Sequence, residues 1–240
     1  MGTAPGNGRK EVFLDSKPYG GSGRFRAFLL EGGKNPAHGV ILLHGRLSNP
    51  DDGPVVGRLR RSLNEAGYTT LSLANPVPEP DEFPHYVADV QGKNALFPEA
   101  YARIRAGMAT LAGRGVVDVV LLGFSMGARM HAAFLAEGNA GSLPIRGFVA
   151  LSNGTNGAGP LNSATSLPKI VVPVLDVYGA GDPLSAETAA ARKAAYQAGQ
   201  GKSFTQVKVG NKAPHAFDGS ERDMEASVLD WMKQTAPRAP

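Results

Sequence analysis

The chain contains no cysteine, which removes disulfide bridges, thiolate nucleophiles and cysteine metal ligands together. It also lacks an excess of one charge: 25 Lys and Arg stand against 21 Asp and Glu, a formal net charge of +4, with no long basic run. A phosphate-tracking surface is therefore not expected, and no nucleic-acid partner is assigned. The densest basic cluster, Arg58, Arg60 and Arg61, falls in a stretch of amphipathic spacing and reads as a solvated helix face. No apolar run approaches the roughly 20 residues that span a bilayer. Residues 1–10 lack the apolar centre of a secretory signal. The expectation is a soluble protein, cytoplasmic or processed and exported, with residues 1–10 and 236–240 as tails.

Apolar residues make up 42% of the chain and charged residues 19%, a globular composition. At 240 residues one hydrophobic core suffices, so residues 11–235 are expected to form a single domain. Two short β-like stretches, 11–15 and 25–31, flank a turn containing Gly20, Gly21 and Gly23 and read as an antiparallel hairpin at a sheet edge. From there strand and helix alternate. Strands are expected at 39–43, 68–73, 116–122, 146–151, 172–178 and 204–209, and helices at 54–66, 98–112, 126–137, 186–198 and 221–233. Because each helix carries the chain back across the sheet, the pairing must be mostly parallel. The expected fold is thus α/β: a doubly wound sheet of about eight strands flanked by helices. Two long connections, 74–97 and 152–169, follow strand C-termini and are expected at the surface, on the edge where open α/β sheets bind ligands.

Chemistry concentrates in Gly123-Phe124-Ser125-Met126-Gly127, between an apolar strand and a helix that starts at once. A serine on so sharp a turn projects its hydroxyl above the sheet, and small residues are needed two positions either side. A hydroxyl attacks only if a base takes its proton. His215, after the last strand, is the best placed of five histidines. His44 and His38 flank the strand 39–43, His85 lies in the proline-rich connection, and the helix carries His131 away from the serine. A carboxylate should orient the imidazole. Asp182 in Gly179-Ala180-Gly181-Asp182-Pro183 is favoured over Asp176, which lies within its strand, and over Asp218, which suits a turn. The backbone N–H groups of Met126 and Arg46 are the expected oxyanion donors, with His44 bonding that loop in place.

The segments Leu42-Leu43-His44-Gly45, Gly-Phe-Ser-Met-Gly, Gly-Ala-Gly-Asp-Pro and Pro-His-Ala-Phe, in this order, resemble the α/β-hydrolase family over roughly residues 11–235. The resemblance implies acyl transfer through a covalent acyl-enzyme, on a small-molecule ester or acyl substrate, without metal or cofactor. It is carried further by 59–63 and 67–73 toward a bacterial branch of that family. The connection 152–169 is short for a cap, so the site is expected to be open or shallow. Amide or thioester cleavage by the same residues, or binding without turnover, stay as alternatives. The Arg46 side chain could attract an acidic substrate, although a solvent-facing role is the simpler reading. Gly201-Lys202-Ser203 is no Walker loop, since Tyr196 occupies the position of the first glycine. Asn153-Gly154-Thr155 matches a glycosylation acceptor by pattern alone. Oligomeric state is not legible from the residues.

Overall fold

The computed structural model describes residues 10–33, 37–46, 48–51, 53–76, 96–201 and 203–236. The first nine residues, residues 237–240, Leu47, Lys202 and most of the proline-rich connection with His85 lie outside the described residues. Among the described residues eight strands form one sheet in the order β1-β2-β4-β3-β5-β6-β7-β8. They are β1 (Lys10–Asp15), β2 (Arg24–Leu30), β3 (His38–Leu43), β4 (Thr69–Leu73), β5 (Asp118–Phe124), β6 (Ile145–Leu151), β7 (Val174–Gly179) and β8 (Phe204–Val209). The hairpin β1–β2 is antiparallel, and β2 runs antiparallel to β4. From β4 onward all pairs are parallel. This is the mostly parallel α/β sheet expected from the alternation of strand and helix, and the arrangement that the resemblance to α/β-hydrolases implies.

Among the described residues seven α-helices accompany the sheet: α1 (Arg58–Glu65), α2 (Leu96–Ala112), α3 (Met126–Phe134), the short α4 (Ala140–Ser142) and α5 (Ser163–Ser166), α6 (Ala189–Gln197) and α7 (Glu221–Thr235). Strand alternation divides the core between the two faces. Ile41, Leu43 and Leu121 point into the layer shared with Ile104 of α2, Phe134 of α3 and Tyr196 of α6. Val40, Leu42, Val120 and Leu122 point into the layer with Leu59 of α1 and Trp231 of α7. Central strands buried on both faces must be apolar throughout, which is why β3 and β5 read as unbroken runs.

The structure departs from the sequence reading in four places. Arg60 is not on a solvated face: its side chain is 1% exposed and pairs with Asp51, while its neighbour Arg58 binds Glu225 of α7 at 2.6 Å. Charge alone marked the cluster as surface, but the aliphatic stem of arginine packs in a core when its head is paired. The helix expected over 54–66 begins with a wider turn at Gly53–Gly57 before the α-helical turns start at Arg58. The helix after Ser125 keeps α-geometry only to Phe134 and ends through Leu135–Asn139, where Gly138 takes φ 82°. Finally, the connection 152–169 is not simply a surface loop. It folds into two tight turns around α5, and Ser152, Asn153, Leu161, Ser163, Ser166 and Leu167 are buried.

Candidate active site

The C-termini of β5, β6, β7 and β8 lie side by side through parallel register, with Phe124 opposite Leu151, Leu151 opposite Val177 and Gly179 opposite Val209. The residues that leave these strands therefore meet at one rim. Ser125 comes first: its N–H bonds Leu151 O at 2.8 Å, extending the ladder by one step. Its backbone then turns through φ 53° and ψ −110° directly into α3. Non-glycine residues rarely hold such angles, and the surrounding contacts must compensate the strain. Close packing leaves room for nothing but hydrogen on either side. A β-carbon at 123 would lie 2.5 Å from Gly127 O, and one at 127 would lie 2.3 Å from Leu43 O.

Asp182 and His215 arrive from β7 and β8, the last two strands of the sheet. The loops after β7 and β8 clasp each other, with Gly181 N–H on Ala213 O at 2.9 Å and Ala180 N–H on Val209 O at 3.0 Å. His215 Nδ1 then stands 2.7 Å from Asp182 Oδ2. A carboxylate only accepts, so Nδ1 carries a proton, and in the neutral ring Nε2 keeps its lone pair. The carboxylate is 1% exposed and the imidazole 34%. Burial alone would raise the Asp182 carboxyl, but hydrogen bonds from His215, Ser185 and the Leu184 N–H outweigh it and hold the group below the ordinary carboxylate value. The Phe124 ring packs on His215 with centroids 5.2 Å apart, which puts the imidazole beside the residue that precedes Ser125. Among the described residues no hydrogen bond joins the Ser125 hydroxyl to His215.

The remaining candidates separate cleanly. His44 accepts the Asn75 N–H on Nε2 at 2.9 Å, so its Nδ1–H donates to Gly45 O at 2.7 Å. The ring is 2% exposed and ties the β3 loop to the end of β4. That loop passes close to the serine: a β-carbon at Gly45 would lie 3.5 Å from Ser125 Cβ. Arg46 follows in an exposed turn, and Met126 is the buried first residue of α3. His131 is fully buried with neither ring nitrogen bonded, and burial pushes its ring down to about 3. Asp176 is buried in β7 against Arg192, whose Nη2 is 2.9 Å from Oδ2. Asp218 is exposed in a turn. Among the described residues no group of three or more His, Asp or Glu is placed to hold a metal ion, and no helix is long and apolar enough to cross a membrane.

Several residues around this rim gave no signal in the sequence. Ser152, at φ 47°, donates from Oγ to His215 O at 2.7 Å. Phe217, at φ 62°, is fully buried two residues after the histidine. Ser125, Ser152 and Phe217 are the non-glycine residues with positive φ among those described. Asn75 anchors His44, and Ser185 donates to Asp182 Oδ2. Ser185 lies only three positions after Asp182, so closeness along the chain could have marked it. Nothing local marks Ser152 or Phe217, because their contacts span 63 residues or depend on a strained backbone.

The fold recurs among solved structures. A dienelactone hydrolase from Anabaena variabilis is similar with TM-score 0.69 at 17% identity, over 95% of this chain and 99% of that one. Est1E from Butyrivibrio proteoclasticus matches with TM-score 0.68 at 17% identity, over 95% and 99%. The Pyrococcus furiosus esterase Pf2001 matches with TM-score 0.72 at 17% identity, over 94% and 90%. At such identity the likeness speaks for the fold. No curated protein matches the sequence. A family model does match over residues 87–234, under the description "Protein of unknown function (DUF3530)". The chain is therefore an α/β-hydrolase-fold protein that belongs to the DUF3530 family.

Proposed function

We propose that the chain is a serine hydrolase that cleaves carboxylic esters of small molecules. The observation that carries this reading is the His215 to Asp182 bond of 2.7 Å at the rim where Ser125 makes its strained turn. In the proposed reaction the Ser125 hydroxyl attacks the acyl carbon while His215 Nε2 takes its proton. Asp182 keeps the imidazole in the required tautomer and stabilises the imidazolium. The backbone N–H groups of Met126 and Arg46 receive the oxyanion; the first lies at the N-terminus of α3, where helix N–H groups have no intrahelical partner. Collapse of the tetrahedral intermediate expels the alcohol, which takes the proton from His215. Water then attacks the acyl-serine by the same route in reverse, with His215 as base.

The solved relatives named as a dienelactone hydrolase and esterases are in keeping with ester cleavage. One observation favours a rival, a binding protein without turnover: Ser125 and His215 are not hydrogen-bonded among the described residues. Nucleophile and base commonly tighten only with substrate bound, so reactivity decides between the readings. A fluorophosphonate probe should label the folded protein at Ser125, and a short p-nitrophenyl ester should be turned over. An unlabelled serine together with no ester, amide or thioester cleavage would leave the binding reading. Cleavage of amides or thioesters in preference to matched esters would move the assignment within the same chemistry.

A further inference from the structure

The Asp182 carboxylate is held from more sides than an orienting group for His215 requires. Its Oδ1 accepts the Leu184 N–H at 3.0 Å. Its Oδ2 accepts the hydroxyl of Ser185 as well as His215 Nδ1–H. Ser185 is fully buried, and among the described residues its hydroxyl donates to the Asp182 carboxylate alone. Ser185 is itself fixed from behind. Its carbonyl accepts Arg192 Nη1 at 2.8 Å, and the same nitrogen donates to Thr188 Oγ1 at 2.8 Å. Arg192 in α6 is locked in turn to Asp176 in β7, with Nε 3.1 and 3.0 Å from the two carboxylate oxygens. Gln206 of β8 closes the arrangement, its Nε2 2.7 Å from Asp176 Oδ2.

A continuous set of buried hydrogen bonds thus runs from the sheet interior to the carboxylate. An aspartate held only by a histidine could rotate about χ2 and present either oxygen. With Leu184 on one oxygen and Ser185 on the other, the plane of the carboxylate is set, and one direction on Oδ2 is left for the imidazole.

We propose that Ser185 is a positioning residue for the Asp182 to His215 pair, and that the buried Arg192–Asp176 pair is the strut that aims it. The proposal rests on the hydrolase reading for its kinetic consequence. Its structural content, a fixed carboxylate facing His215, stands apart from turnover. Ser185 touches no reacting atom; it acts through Asp182 alone.

The test compares wild type with Ser185→Ala, Ser185→Thr and Ser185→Cys. On a short p-nitrophenyl ester, Ser185→Ala should lower kcat about tenfold, the scale of one hydrogen bond to a charged group, with KM within about twofold. Ser185→Thr, which keeps the hydroxyl, should recover most of the lost turnover. Ser185→Cys, a weaker donor of similar size, should fall between them, and it carries the comparison if the alanine variant does not fold. The turnover-independent readout is the low-field proton resonance of His215 Nδ1–H. In Ser185→Ala it should move and exchange faster with solvent, and in Ser185→Thr it should return. A resonance and kcat unchanged in both the alanine and cysteine variants would overturn the proposal. Absence of probe labelling and turnover in wild type would instead sink the hydrolase reading, leaving the resonance to decide the role of Ser185.

Discussion

At Ser125 a single oxygen carries the proposed chemistry. Ser125→Ala should lower turnover of a short ester by on the order of 10⁴ to 10⁶ if nucleophile, base and carboxylate act as a unit. Unfolding by denaturant should be little changed, because the hydroxyl has no hydrogen bond among the described residues. The measurement is kcat/KM alongside a urea titration of the same preparation. Equal activity in the variant would remove the proposed mechanism. Ser125 could be read from the sequence because the demands of its turn are local: two glycines, an apolar strand before it and a helix after. His215 and Asp182 were legible at second hand, from their places after the last two strands. Ser152 was not. Its value lies in a bond to a carbonyl 63 residues away, and no local rule distinguishes it from any other loop serine.

At the scale of elements, the β5–α3 junction packs backbone against backbone. A methyl group at 127 would press on the Leu43 carbonyl carbon at 2.6 Å and His44 O at 2.7 Å, all of it backbone that cannot step aside. Gly127→Ala should therefore destabilise the protein by about 1–3 kcal/mol through overpacking and displace the β3 loop. Urea unfolding reads the first effect, and loss of probe labelling below the transition reads the second. The strut between α6 and β7 makes a second prediction. Arg192→Leu leaves the buried Asp176 without its cation, which should cost about 3–5 kcal/mol. The double variant Arg192→Leu with Asp176→Asn should recover part of that loss. Element types were legible because period and burial agree: after their first residues, His38 and Asp118, β3 and β5 hold no polar side chain. Ends were less so. The widened turn at Gly53–Gly57 buries Val55 and Val56, packing that no window of sequence contains, whereas the chain leaves the helix at Gly138, one residue beyond the expected end at 137. Arg60 was misread for the same reason, since its partner Asp51 lies outside the helix pattern that made it look solvated.

Across the whole molecule, acid should unfold the protein in a way that one histidine helps to set. His131 stays neutral in the folded state down to about 3, whereas in the unfolded chain it takes up a proton near 6.5. The stability its burial permits is full above about 6.5 and falls as pH drops toward 3, because the unfolded state binds the extra proton. Asp182, held below its ordinary value, adds a loss at still lower pH, as its folded form protonates. His131→Leu should flatten the decline between pH 6.5 and 4.5, read as the change in urea midpoint across that interval. An identical slope in the variant would mean that other groups govern the response.

Among the described residues the three non-glycine positions of positive φ, Ser125, Ser152 and Phe217, all follow strand C-termini at one end of the sheet: Ser125 carries the hydroxyl, Ser152 bonds the His215 carbonyl, and Phe217 lies two residues after that histidine. Conformational energy of about 1–3 kcal/mol per position is thus concentrated there rather than spread along the chain. On gentle heating, that rim should relax before the strands separate. Inactivation would then precede any change in far-ultraviolet circular dichroism, and it would reverse on cooling.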